Sequence, residues 1–325
     1  MKTPITPLYG LTLALLTSAA LLPQAHAITI TTDSFTDFDM DFAEVGDTTN
    51  VDDGLSGSTA YGAVSYEYRM GVNEVSVKMI NDYNAAPANS GLQITKDTRG
   101  ADKPATSVSW NEAARFVNWL NTSEGYQAAY LFETTGANDN ISLWSSADAW
   151  QLGGENLYRH KDAYYFLPSE DEWYKAAFYD GNSMAYYDYA TGQDIGDEPT
   201  AVAGGTAAGT AVYGQSFATG PADIDDAGGL SYYGTMAQSG NVFEWGESAL
   251  DGGNDTNSES RVLRGGLWIN LSIDLQSSSR DDLGPVYESI GLGFRVASVS
   301  VVPEPSSVGL LVIGAMGCML RRKRG

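Results

Sequence analysis

The stretch that decides the fold reads Arg261-Val262-Leu263-Arg264-Gly265-Gly266-Leu267-Trp268, then a polar interval, then Gly291-Leu292-Gly293-Phe294-Arg295. Glycines clustered beside arginines are expected where the backbone must take positive φ or pass close to another segment. Arginines among apolar neighbours call for bidentate pairing with buried carboxylates. Arg264 and Arg295 are read that way, with substrate binding as the alternative. Upstream stands Gly240-Asn241-Val242-Phe243-Glu244-Trp245. An Asn and a Glu three apart in a Gly-led turn can converge two hard oxygens, with the carbonyls of Gly240 and Val242 adding more. That donor set suits calcium, which takes six to eight oxygens. Asn241 and Glu244 are thus the expected calcium ligands. The alternative is that Asn241 bonds its own backbone and Glu244 pairs with an arginine such as Arg264.

Further upstream, Phe166-Leu167-Pro168-Ser169-Glu170-Asp171-Glu172-Trp173 announces a helix: Ser169 is the N-cap and Glu172, three residues on, completes a capping box. Trp173, Ala176 and Ala177 form its inner face. Ser109 and Glu112 repeat the device before a helix to about Leu120, with Ala113, Phe116, Val117 and Leu120 on one stripe. Alternation over Val64–Val72 predicts a strand that passes into a shorter helix over Glu74–Asn84. Phe38, Met40 and Phe42 alternate in an N-terminal strand. Residues 126–150 read as irregular with one short hairpin. Residues 180–229 read as long ordered loops anchored by tyrosines. The fold class is α+β, with two main helices and short antiparallel strands. There is no internal repeat, so a single domain spans 28–300.

Six anchors in fixed order, Met70–Val75, Val108–Leu120, Leu167–Ala177, Gly240–Trp245, Arg264–Gly266 and Gly291–Arg295, make the chain resemble the formylglycine-generating enzyme, or sulfatase-modifying factor, family. The resemblance implies a C-type-lectin-related fold, poor in regular secondary structure and ordered by aromatic packing and calcium. Active members use a cysteine pair after the Arg-Gly-Gly motif, and the matching positions here are Asn270 and Leu275. The chain's one cysteine is Cys318. Soft thiolates are what copper(I) selects, so neither copper nor thiol catalysis is expected. Iron is not expected either: a second branch of the family relies on several histidines, and this chain has His26 and His160 alone. His160 is read as solvated or capping. Carboxylates abound (Glu170, Asp171, Glu172, Asp281, Asp282), but the sequence gives them no defined geometry. The enzyme reading therefore fails at the chemical step. The groove that active relatives build after the Arg-Gly-Gly motif would be walled here by Trp268, Asn270, Ser272, Ser277 and Arg280. A tryptophan beside amides and hydroxyls suits a sugar or a peptide. Arg280, at the expected rim, is the best of these for a ligand contact.

The two ends set the compartment. Lys2, an apolar run from Leu8 to Leu22 and Ala25-His26-Ala27 form a signal-peptide pattern cut after Ala27; an N-terminal anchor is the alternative. Pro303-Glu304-Pro305, the apolar Val308–Leu320 and Arg321-Arg322-Lys323-Arg324 resemble the PEP-CTERM sorting signal of Gram-negative bacteria, processed by exosortase. A plain C-terminal anchor is the alternative. Signal peptidase and exosortase are the implied partners, and the implied destination is the cell surface or the exopolysaccharide and biofilm matrix. The net charge is −23, and becomes −28 without Lys2 and the four terminal cations. That balance excludes nucleic acid and anionic lipid as partners. With no cysteine before Cys318, about 275 residues must hold together without disulfides, which a domain of that size can do. The reading is an exported, non-catalytic binding protein for carbohydrate or peptide. An enzyme of other chemistry on this fold and a purely structural matrix protein are the alternatives.

Overall fold

A computed structural model describes residues 27–54 and 61–300. The expected leader (1–27, except Ala27) and the tail with Pro303, Glu304 and Pro305 lie outside the described residues. Among the described residues, no helix is long and apolar enough to cross a membrane.

One five-stranded antiparallel sheet gathers the two ends of the described residues. Its order is β1 (Ile30–Ser34), β2 (Asp39–Val45), β3 (Tyr68–Gly71), β15 (Ala297–Val299) and β6 (Tyr165–Phe166). In β2 the expected alternation holds, with Met40 and Phe42 buried and Asp39 and Asp41 exposed. Three helices follow: α1 (Val77–Ala85), α2 (Trp110–Ser123) and α3 (Glu170–Phe178). Both capping boxes form as read. Ser109 and Ser169 each accept from the backbone three residues on, and Glu112 and Glu172 each reach back to the cap. Helix α1 begins later than the sequence predicts. Ser76 is its N-cap, and Val75 is held in extended pairing: its N–H donates to Phe294 O at 2.9 Å and its carbonyl accepts from Ala105 N at 2.8 Å.

A second sheet carries the decisive motifs, in the order β13 (Asp281–Leu283), β12 (Arg261–Arg264), β11 (Phe243–Ala249) and β14 (Leu292–Gly293). β11 and β14 are parallel, and the β11–β12 ladder shifts register between Trp245 and Ala249. Two tryptophans tie this sheet to α2: Trp110 Nε1 donates to Gly246 O at 3.0 Å, and Trp245 Nε1 donates to Val108 O at 2.9 Å. Both rings are fully buried, so each indole N–H needs such a partner. Short pairs complete the structure: β4 (Ala149–Trp150) with β5 (Asn156–His160), β7 (Tyr179–Asp180) with β8 (Ala185–Tyr186), and β9 (Thr200–Val202) with β10 (Thr210–Val212). The last two pairs lie in the segment expected to be loops only.

Candidate functional site

Gly265 and Gly266 both take positive φ, 98° and 82°, as expected of the Arg-Gly-Gly turn. A Cβ on Gly266 would lie 2.9 Å from Asp274 O, and one on Gly240 would lie 2.4 Å from Val212 O, so both must be glycine. Leu275 fills the space between them. Its methyls sit 3.1 Å and 3.4 Å from those two Cβ positions, and it packs in a buried cluster with Tyr189 and Ala211. Asn270 faces the other way: its Oδ1 accepts from Leu267 N at 2.6 Å.

The predicted groove is therefore corrected. Trp268 is 1% exposed, covered by the Arg99 guanidinium 4.6 Å from its ring and by Phe217, and Ser277 is equally buried. Neither can wall an open groove. Asn270, Ser272 and Arg280 are half-buried. Apolar Ile269, Leu271 and Ile273 face solvent between them.

Asn241 and Glu244 are fully buried and have protein partners. Asn241 Oδ1 accepts from Ala222 N at 2.8 Å, and its amide donates to Glu74 at 2.7 Å. The Glu244 oxygens accept from Arg295 Nε at 2.6 Å, from its Nη2, and from Trp173 Nε1 at 2.7 Å. Arg295 already supplies the positive charge that Glu244 requires, so these two side chains as arranged do not fit a calcium ion. The arginine pairing read as the alternative is present, with Arg295 in place of Arg264. His160 is buried and not solvated: Nδ1 accepts from Asp162 N at 3.0 Å, and Trp144 lies edge-on at 4.6 Å.

Among the described residues, one opening with charged side chains in its lining lies at the start of α3. It is a cleft of about 200 Å³ walled by Tyr61, Tyr66, Trp150 and the Leu152–Asn156 turn, with Ser248, Gly252 and Asn254 on the far side. Its floor is a buried charge network. Arg159 Nη2 lies 2.9 Å from Glu172 and 2.7 Å from Glu247, and Nη1 adds a second bond to Glu172. Tyr66, Tyr130 and Asn156 donate to the remaining lone pairs of these carboxylates. One guanidinium thus serves two buried carboxylates. Burial pushes Glu247 above the usual range and Arg159 offsets only part of that. For Glu172, burial acts the same way, but Arg159 and the surrounding donors outweigh it and hold the group low.

At the mouth, Glu170 is shared by two arginines. Arg264 Nε and Arg280 Nε lie 2.9 Å and 2.8 Å from Oε1, and Arg280 Nη2 reaches Oε2 at 2.8 Å. Arg280 is the one predicted groove residue that meets this cleft, through Glu170 and the Tyr61 ring 5.4 Å away. Asp171 differs from its neighbours. It accepts from Gly62 N at 2.9 Å and makes no ion pair among the described residues. Burial, with Asp52 and Glu170 nearby, pushes it up to about 6. The sequence named Glu170, Asp171 and Glu172 without geometry. The signal it held was a capping box with two further acids beside the required one.

Residues 27–299 match the sulfatase-modifying factor enzyme 1-like domain. The chain belongs to this family. Residues 301–324 match the PEP-CTERM protein-sorting motif, so this member carries a signal for exosortase processing during export to the surface. Among the solved structures that share the fold are two with the following likeness. Treponema denticola variable protein 1 is 19% identical with a TM-score of 0.59, over 83% of this chain and 99% of that one. A structure titled CarF is 19% identical with a TM-score of 0.53, over 80% and 98%. No curated protein matches the chain. Within the sulfatase-modifying factor family, this member has Asn270 and Leu275 where the resemblance places the catalytic thiols. Neither side chain can carry the copper chemistry that two thiolates support.

Proposed function

We propose that this chain is an exported, non-catalytic member of its family that binds carbohydrate in the α3 cleft, at the cell surface or in the surrounding polysaccharide matrix. The cleft carries this reading. Its floor is a fixed hydrogen-bonded charge network, as a preformed site requires, and its walls offer tyrosine rings beside polar side chains such as Asn156, Asp171 and the exposed Glu155. Rings flanked by fixed polar groups match the alternating apolar and hydroxyl faces of a sugar. The filled thiol positions support a binding role over formylglycine generation.

The test is retention of the purified chain on immobilised neutral, acidic and amino-bearing oligosaccharides, with soluble glycan as competitor. Saturable, competable retention on at least one class is expected. Retention on none overturns the carbohydrate reading. A second assay incubates the chain with a cysteine-bearing sulfatase-type peptide, copper and oxygen. No aldehyde is expected, and turnover would return the chain to the enzymes.

A further inference from the structure

The charges of the cleft can be counted. Three guanidinium groups, Arg159, Arg264 and Arg280, are matched by three glutamates, Glu172, Glu247 and Glu170, in bonds of 2.5–2.9 Å. Every nitrogen of Arg159 is occupied by Glu172, Glu247 or Leu167 O. That leaves two lining carboxylates without a cation among the described residues. One is Asp171, with a single backbone donor; the other is the exposed Glu155. No lysine lines the cleft. The surplus is thus two negative charges in a recess that limits solvent screening, within a chain of net charge −23.

Such a recess repels uronates and sulfated sugars at long range and at contact. A neutral sugar gives Asp171 hydroxyl donors but leaves its charge uncompensated. A primary ammonium supplies both donors and the missing charge. Resting on the carbohydrate reading, we infer that the cleft takes amino sugars: glycans carrying unacetylated primary amines, with the ammonium against Asp171 and Glu155 and the sugar face against Tyr66 and Tyr61.

Calorimetric titration of the full chain with a glucosamine tetramer, and separately with the N-acetylglucosamine tetramer, tests this at pH 7. The amine form is expected to bind about tenfold more tightly, the equivalent of one charge-assisted contact. Asp171→Asn keeps an acceptor for Gly62 N–H and should remove most of that preference. Glu155→Gln, at an exposed position with no structural partner to lose, should remove part of it without changing the melting temperature. Equal or tighter binding of the acetylated tetramer overturns the amino-sugar inference and leaves carbohydrate binding standing. Binding of neither overturns both. A lysine tetramer bound as tightly as the amino sugar also overturns the inference, because charge alone would then be read.

Discussion

Arg159 holds one positive charge against two carboxylates, and all three side chains are at most 1% exposed. Removing a guanidinium from such a set leaves two buried charges uncompensated, which costs about 3–5 kcal/mol. Arg159→Met should therefore lower stability by at least that amount in urea unfolding. Adding Glu247→Gln should recover part of the loss, since one orphan charge is gone. An unchanged midpoint for the single variant would show that the network is solvated. Asp171 follows a different sign. Its folded value lies near 6, above the ordinary 3.8, because burial disfavours the charged form. A raised acid binds its proton more tightly when folded, so its contribution is favourable in acid and is lost as pH rises from about 4 through 6. Asp171→Asn should gain up to about 3 kcal/mol at pH 7.5, with the gain vanishing toward pH 4. A pH-independent difference would refute the assignment.

At the scale of elements, α2 and α3 start where local chemistry says they must. A serine hydroxyl and a glutamate three residues on satisfy N–H groups that no helix can satisfy for itself. Ser109→Ala should cost about 1 kcal/mol in thermal unfolding. Ser169→Ala should cost more, because its partner Glu172 is also the anchor of Arg159. Equal losses would mean that the two boxes act only as caps. Such devices span four residues and were legible in the sequence, as were the Arg-Gly-Gly turn and the alternating β2. The cleft was not legible. It joins Tyr61–Tyr66, Trp150–Arg159, Ser169–Asp171 and Ser248–Asn254, segments brought together only by sheet register and the α3–β11 packing. The predicted groove failed for a related reason. Trp268 looks like a ligand platform in sequence, but Arg99 and Phe217, far off in the chain, cover it.

For the whole molecule, an excess of 41 acidic over 18 basic residues makes self-repulsion the general cost of folding, and any cation relieves some of it. Calcium dependence must be separated from that background. Of the buried glutamates, Glu244 and Glu170 pair with arginines, Glu172 and Glu247 share Arg159, and Glu74 accepts from Asn241 instead; among the described residues no three acidic, histidine or cysteine side chains gather as a metal site. We propose that the arginines stabilise the fold where the family resemblance implies calcium. Melting curves after chelation should then match those of untreated protein at equal ionic strength. Calcium and magnesium added back should raise the midpoint by the same small amount, falling as sodium chloride is increased, because screening of surface charge does not distinguish them. A calcium-specific rise that saturates at one equivalent and survives high salt would show a dedicated calcium site and overturn the proposal.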